Sequence, residues 1–81
     1  MTIQAINAKH QRLVNKVYKA SRKYHDLVNS EAHCLEVTEA MYSAQEKAFD
    51  KFFVLAADLP QREIKNFDKQ YNAIHGYTAI N

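Results

Sequence analysis

The scarcity of glycine and proline constrains the fold of this chain more than any other feature. Its 81 residues include one Gly and one Pro, whereas soluble proteins average about 7% and about 5% of these residues. Turns in sheet-rich folds depend on both, because glycine supplies positive φ angles and proline fixes the first corner of a turn. So few turn residues predict long helices, and the length predicts a single helical domain over residues 1–81.

Apolar residues recur at alternating intervals of three and four through the first third of the chain, which predicts a helix over residues 3–28. Thr2 precedes this segment as an acceptable N-cap. The positions of the stripe are Ile3, Ile6, His10, Leu13, Val17, Ala20, Tyr24 and Leu27. Neighbouring apolar residues widen it, so the face suits a helical bundle as well as a coiled coil.

A second helix is predicted over residues 31–57, with Ser30 as its N-cap and Glu31 in its first turn. Its apolar side chains cover about half of the circumference when they are projected at about 100° per residue. A face this wide can contact two neighbours. We therefore expect this helix to be central and to pack against both of the others.

Fusion of the first two segments into one long helix is the alternative, because Asn29 and Ser30 are weak helix breakers. In that register the polar residues Glu31, Thr38 and Gln45 would occupy core positions. Three polar residues in succession at one core position disfavour the fused helix. We therefore expect a hairpin of two helices.

A third, shorter helix is predicted over residues 60–75. Asp58 and Gln61 have the spacing of a variant capping box, and Pro60 is tolerated in a first turn.

Gly76 is expected to end this helix in the left-handed conformation, which would place Tyr77 against Tyr71 at the start of a short tail, residues 76–81. The three segments together predict an all-α fold. It is an antiparallel hairpin of two long helices with a shorter third helix against the second, a three-helix bundle that is compatible with a homodimer.

Basic residues are concentrated in the first part of the chain and acidic residues in its middle. Five basic residues at intervals of three and four lie along one side of the first helix, about 120° from its apolar centre. This basic stripe comprises Lys9, Arg12, Lys16, Lys19 and Lys23. It suits an acidic protein partner, and the phosphates of a nucleic acid are the alternative. Aromatic residues that could stack on bases do not interleave with it, which favours the protein.

Four acidic residues define a second charged surface, on the side of the second helix opposite its apolar face. We expect them to stay exposed, because from that side most of them cannot reach the first helix of the same chain. Exposed acidic and basic surfaces on one small protein favour electrostatically steered contact with another protein. The acidic ridge comprises Glu36, Glu39, Glu46 and Asp50.

Large apolar residues cluster in the second helix beyond what a short third helix can cover. A chain of this length buries only about 60–65% of its unfolded surface, so uncovered parts of long helices leave patches that favour a partner. Aromatic and Met side chains are typical anchors of such contacts. The predicted anchors are Met41, Tyr42, Phe49, Phe52 and Phe53.

Signatures of catalysis and cofactor binding are missing from the sequence. It has no Gly-rich phosphate loop, no nucleophile elbow and no carboxylate pair in a pocket-forming context. Its four His residues and single Cys lack the spacing of a zinc site. Cys34 falls on the apolar face of the second helix, which predicts a buried, inert thiol. We expect no catalytic residue, no cofactor and no metal.

These surfaces favour a non-catalytic protein-binding module, an adaptor, inhibitor or regulator of a partner protein, with nucleic-acid binding through the basic stripe as the alternative. A single cysteine excludes a disulfide-stapled secreted scaffold, and no stretch approaches the roughly 18 consecutive apolar residues of a membrane span. We therefore expect a cytoplasmic protein. In size and composition the chain resembles compact accessory proteins of phages and mobile elements.

Overall fold

Three α-helices and one short 3₁₀ turn make up the computed structural model of this protein, which describes residues 2–76. The 3₁₀ turn spans Ala8–His10, α1 spans Gln11–Ala32, α2 spans Glu39–Ala57 and α3 spans Gln61–His75. This part of the chain contains no strand, so the predicted all-α fold is confirmed. No helix within it is long and apolar enough to cross a membrane.

Residues 33–38 separate α1 from α2, so the hairpin forms and the single long helix does not. The break is later than predicted, because α1 continues past Ser30 and Thr38 caps α2. The Thr38 hydroxyl oxygen accepts a hydrogen bond from the backbone N–H of Met41 at 3.3 Å. Glu39 follows in the first turn, where its charge complements the helix dipole. Ser30 and Thr38 carry the same local signal, a capping residue followed by Glu, and only tertiary packing distinguishes them.

Helices α1 and α2 run antiparallel and share the most extensive contact between elements of the fold. Near the end of α1, the carboxylate of Glu31 lies next to the side-chain amide of Gln45, early in α2. Further back along α1, Tyr24 meets Phe49 with the ring centroids 5.3 Å apart. Late positions of α1 therefore lie beside early positions of α2, as in the predicted hairpin.

The central element of the core is α1, whereas the sequence predicted α2. Val14 and Val17 of α1 are 1% and 0% exposed, while Ala48 is the only buried side chain of α2. Helix α3 contacts α1, and side chains of α2 also pack against the buried cluster to which α3 contributes. Only the edge of α2 that faces α1 and the core is covered. The buried cluster comprises Ile3, Val14, Val17, Leu59, Phe67 and Tyr71.

Residues 2–5 form no regular secondary structure and, with the bend that follows them, lie along α3, where the sequence predicted the first turns of a helix from residue 3. Two amide side chains of α3 hold the backbone of Gln4. Gln70 accepts from its N–H at 2.9 Å, and Asn66 and Gln70 donate to its carbonyl oxygen at 2.7 and 2.6 Å. The segment carries Ile3 into the core, where it is 1% exposed. Side chains of α3 thus supply hydrogen bonds that the backbone of this segment would otherwise make within a helix. The core buries its apolar side chain.

Glu63, in the first turn of α3, is the second anchor of the N-terminal segment. Its side chain is fully buried, and its two carboxylate oxygens accept hydrogen bonds from the backbone N–H groups of Ile6 and Asn7 at 3.0 and 2.8 Å. These bonds offset the cost of burying a carboxylate. The Asn7 side chain in turn accepts from the Lys9 N–H and begins the 3₁₀ turn that leads into α1. Glu63 therefore helps to set where helical structure begins.

The third helix lies close to its predicted range, 60–75. Gly76 ends it with a φ of 72°, the predicted left-handed conformation, which glycine adopts without the penalty that a Cβ would bring. The predicted capping box does not form, because Pro60 is the N-cap and no side chain caps the helix. The predicted contact of Tyr77 and the tail beyond Gly76 lie outside the described residues.

Candidate interaction surfaces

The basic stripe is exposed along its length, and its first residue precedes α1. Lys9 belongs to the 3₁₀ turn ahead of α1, and Arg12 lies in the first turn of α1. The remaining three residues, Lys16, Lys19 and Lys23, border a groove between α1 and α2. The structure therefore brings these three together with side chains of α2 and leaves Lys9 and Arg12 outside the groove.

The groove between α1 and α2 has lysines on both edges and an apolar floor, within a volume of about 730 Å³. Lys16, Lys19 and Lys23 line the α1 edge. Lys47 and Lys51, which lie outside the predicted stripe, line the α2 edge. The floor consists of Ala20, Leu27, Ala44, Ala48 and Leu55. We call these residues together the lysine groove.

All five lysines of the groove are exposed, and none forms an ion pair with a residue in the range 2–76. Lys47 and Lys51 are one helical turn apart, an arrangement of like charges that slightly disfavours a helix. Five positive charges around one concave surface raise the local potential and attract anionic groups. Within the described part of the chain, the five lysines therefore lie close together and no carboxylate neutralises them.

The acidic ridge is exposed, as its position away from α1 predicts, and one of its four residues lies outside α2. Glu36 lies in the loop before α2, and Glu39 is the first residue of α2. Glu46 and Asp50 line a cleft of about 380 Å³ together with two aromatic side chains. Half of the ridge therefore lies next to aromatic rings and does not form a separate acidic surface.

The five predicted apolar anchors divide into two groups. Met41 and Phe52 are half-buried, and Phe52 packs against the core. Tyr42, Phe49 and Phe53 are 58%, 43% and 61% exposed, and spacings of seven and four residues place them on one side of α2. The rings of Phe49 and Phe53 stack with their centroids 6.3 Å apart. We call the following set the aromatic face: Tyr42, Phe49 and Phe53, with Glu46 and Asp50 beside them.

Cys34 lies in the loop between α1 and α2, where its side chain is exposed. The predicted buried thiol is therefore wrong, because α2 begins only at Glu39 and Cys34 is not on its apolar face. Within residues 2–76, no group of three or more His, Cys, Asp and Glu side chains is placed to hold a metal ion.

Two histidines that are distant in the sequence meet across α1 and α3. The rings of His25 and His75 stack with centroids 6.2 Å apart, and they lie 5.4 and 4.2 Å from the ring of Tyr71. Local patterns do not show this cluster, because only the packing of α3 on α1 brings the three rings together. Contacts of this kind help to hold the C-terminal end of α3 against α1.

Comparison of the chain with protein-family models, with curated proteins and with solved structures found no match. The geometry and chemistry of the chain itself therefore carry the functional argument. They present two candidate surfaces, the aromatic face and the lysine groove.

Proposed function

We propose that this chain is a non-catalytic protein-binding module, an adaptor, inhibitor or regulator, that binds a partner protein through its aromatic face. The observation that carries the proposal is the exposure of Tyr42, Phe49 and Phe53, between 43% and 61%, along one side of α2. Contiguous exposed apolar patches mark interaction sites, and aromatic side chains are the most frequent anchors of protein interfaces. Helix α2 thus carries an apolar face that the described part of the chain leaves uncovered.

Glu46 and Asp50 define the charge that the partner must present. At about 100° per residue they project from the same side of α2 as Tyr42 and Phe53. A protein that covers the rings therefore approaches these carboxylates as well, and a carboxylate that loses water without gaining a partner is costly. The matching surface is an apolar cleft with Lys or Arg at its edge.

A symmetric homodimer through the aromatic face is disfavoured by the same charges. In a two-fold contact a patch meets its own copy, so Glu46 and Asp50 of one chain would approach the same residues of the other. Like charges across an interface cost free energy. The proposed partner is therefore a different protein.

Nucleic-acid binding is the second candidate function, and the exposure of all five side chains of the basic stripe favours it. Two observations weigh against it. Three of its lysines border an apolar floor that a phosphate backbone would leave uncovered. Among residues 2–76, no aromatic side chain lines that floor for base stacking.

Site-specific photo-crosslinking tests the proposal in the cells that make the chain. We expect p-benzoylphenylalanine in place of Phe53 to form a covalent product with a partner protein, because this ring is 61% exposed on the aromatic face. The same residue in place of Lys69, exposed on α3, is the matched control and should form no such product. The readout is a shifted band on a denaturing gel, identified by mass spectrometry.

A Tyr42→Ser change should abolish the product at position 53 while leaving the circular dichroism spectrum unchanged, because Tyr42 is exposed and contributes little to folding. Equal yields at positions 53 and 69, or no product at position 53, would overturn the proposal. A product with a second copy of the chain would replace the proposed partner with self-association.

A further inference from the structure

The lysine groove and the aromatic face lie on opposite sides of α2. Lys51 and Tyr42 are separated by nine residues, which corresponds to about 180° around the helix. A partner on one surface therefore leaves the other accessible. Binding in the groove is therefore independent of the proposed contact at the aromatic face.

The shape of the groove fits a helix of about three turns. Its lining residues span 16–27 of α1 and 44–55 of α2, and each span rises by about 16 Å at 1.5 Å per residue. The small side chains of Ala20, Ala44 and Ala48 leave the centre of the groove open, so the backbone of a docked helix can approach closely. Leu27 and Leu55 supply larger apolar contacts. The floor thus offers what the apolar stripe of an amphipathic helix requires.

The charged edges of the groove indicate which charge a docked helix must carry. Three lysines on α1 and two on α2 flank the floor, and no carboxylate in the described part of the chain pairs with any of them. A docked helix with Asp or Glu on both flanks of its apolar stripe would face lysines on both sides. Charges arranged in this way steer association and select the partner.

From this combination we infer that the lysine groove binds an acidic amphipathic helix of a partner protein. The apolar stripe of the helix rests on the alanine and leucine floor, and its carboxylates pair with Lys16, Lys19 and Lys23 on one edge and with Lys47 and Lys51 on the other. This is the helix-in-groove mode of recognition, in which apolar anchors supply affinity and flanking charges supply selectivity.

A second copy of the chain fits the groove less well than such a partner. The acidic side of α2 could enter the groove of a neighbouring copy, but the two surfaces lie on opposite sides of the helix. The contact would therefore be heterologous and would generate an open chain or a ring. A nucleic acid would pair with the lysines but would leave the apolar floor uncovered.

Fluorescence anisotropy with a labelled synthetic peptide tests the inference. The probe is a peptide of about 14 residues with Leu along one helical stripe and Glu on both flanks, long enough for about four turns. A second peptide has Gln in place of every Glu. We expect the acidic peptide to bind in the micromolar range, to weaken as salt rises from about 0.05 to 0.5 M, and to bind about tenfold tighter than the Gln peptide.

Two variants of the groove separate its charge from its floor. Lys19→Glu with Lys23→Glu should weaken binding of the acidic peptide about tenfold or more. Its matched control, Lys65→Glu with Lys69→Glu, makes the same change of net charge at exposed positions of α3 and should have little effect. Ala44→Phe fills an exposed part of the floor and should also weaken binding. Circular dichroism of each variant should match that of the unchanged protein.

Several outcomes would overturn the inference. They are absence of binding by the acidic peptide, equal binding of the Gln peptide, and equal losses in the groove variant and the α3 control. Tighter binding of a random-sequence DNA duplex, lost in the groove variant, would assign the groove to nucleic acid. Self-association lost in the groove variant would assign it to a second copy. Each result leaves the crosslinking at position 53 as a separate test of the aromatic face.

Discussion

Replacement of Phe67 by alanine is expected to lower the free energy of unfolding by about 3–5 kcal/mol. The ring is 4% exposed and stacks on Tyr71 with the centroids 5.6 Å apart. It belongs to the buried cluster that joins α3 to Val14 and Val17 of α1 and to Ile3. Its removal opens a cavity at the point where three segments meet. A domain of this size is stable by only about 4–12 kcal/mol in total, so the variant should be strongly destabilised.

Urea denaturation followed by far-ultraviolet circular dichroism measures this loss. Lys69→Ala is the control, because it truncates an exposed side chain on the same helix and should change the free energy of unfolding by less than about 0.5 kcal/mol. A loss below about 1 kcal/mol for Phe67→Ala would show that α3 does not complete the core on α1.

Replacement of Glu63 by alanine is expected to lower the free energy of unfolding by about 2–4 kcal/mol, because two partly buried backbone N–H groups lose their acceptors and the buried side chain leaves a cavity. Both carboxylate oxygens are engaged, one by the Ile6 N–H and the other by the Asn7 N–H. Glu63→Gln keeps one acceptor oxygen and should have an intermediate effect. Hydrogen exchange should show that the Ile6 and Asn7 amides lose protection in the alanine variant, because the N-terminal segment loses this anchor.

Glu46→Ala, a truncation of an exposed carboxylate on α2, is the matched control and should leave the free energy of unfolding nearly unchanged. Equal stability of the Glu63→Ala and Glu46→Ala proteins would contradict the role of Glu63. The same holds if the Ile6 and Asn7 amides exchange at unchanged rates in the Glu63→Ala protein.

Local signals were sufficient for the third helix and for the hairpin. Pro60 lies at the start of α3, where its ring fixes φ, and Gly76 ends the helix with a positive φ that the lack of a Cβ permits. Polar residues at would-be core positions disfavoured a fused helix, and the chain does break, between Ala32 and Glu39. Its exact position was missed, because a cap such as Ser30 contributes only about 1 kcal/mol, which packing overrides.

The N-terminal segment was mispredicted because its structure depends on residues far away in the sequence. Ile3 and Ile6 continue the helical spacing of α1, and nothing nearby breaks that pattern. Glu63, Asn66 and Gln70 bond to backbone groups at positions 4–7, more than 50 residues earlier. Such tertiary hydrogen bonds leave no periodic signal in the sequence.

The candidate surfaces could be predicted only in part, because they too depend on how segments distant in the sequence pack together. Periodicity selected Lys16, Lys19 and Lys23, but it did not pair them with Lys47 and Lys51, since that needs the relative rotation of α1 and α2. The wide apolar face of α2 was visible in the sequence. Which part of it is covered depends on how α1 and α3 pack against it.

The central claim is that the aromatic face is not needed for folding and is therefore available to a partner, and the adjacent pair Phe52 and Phe53 tests it most directly. Phe52 is half-buried against the core, whereas Phe53 is 61% exposed. Urea denaturation of the two alanine variants should show a loss of about 2–3 kcal/mol for Phe52→Ala and a change within about 0.5 kcal/mol for Phe53→Ala. A loss of about 2 kcal/mol or more for Phe53→Ala would place that ring in the core and contradict the claim.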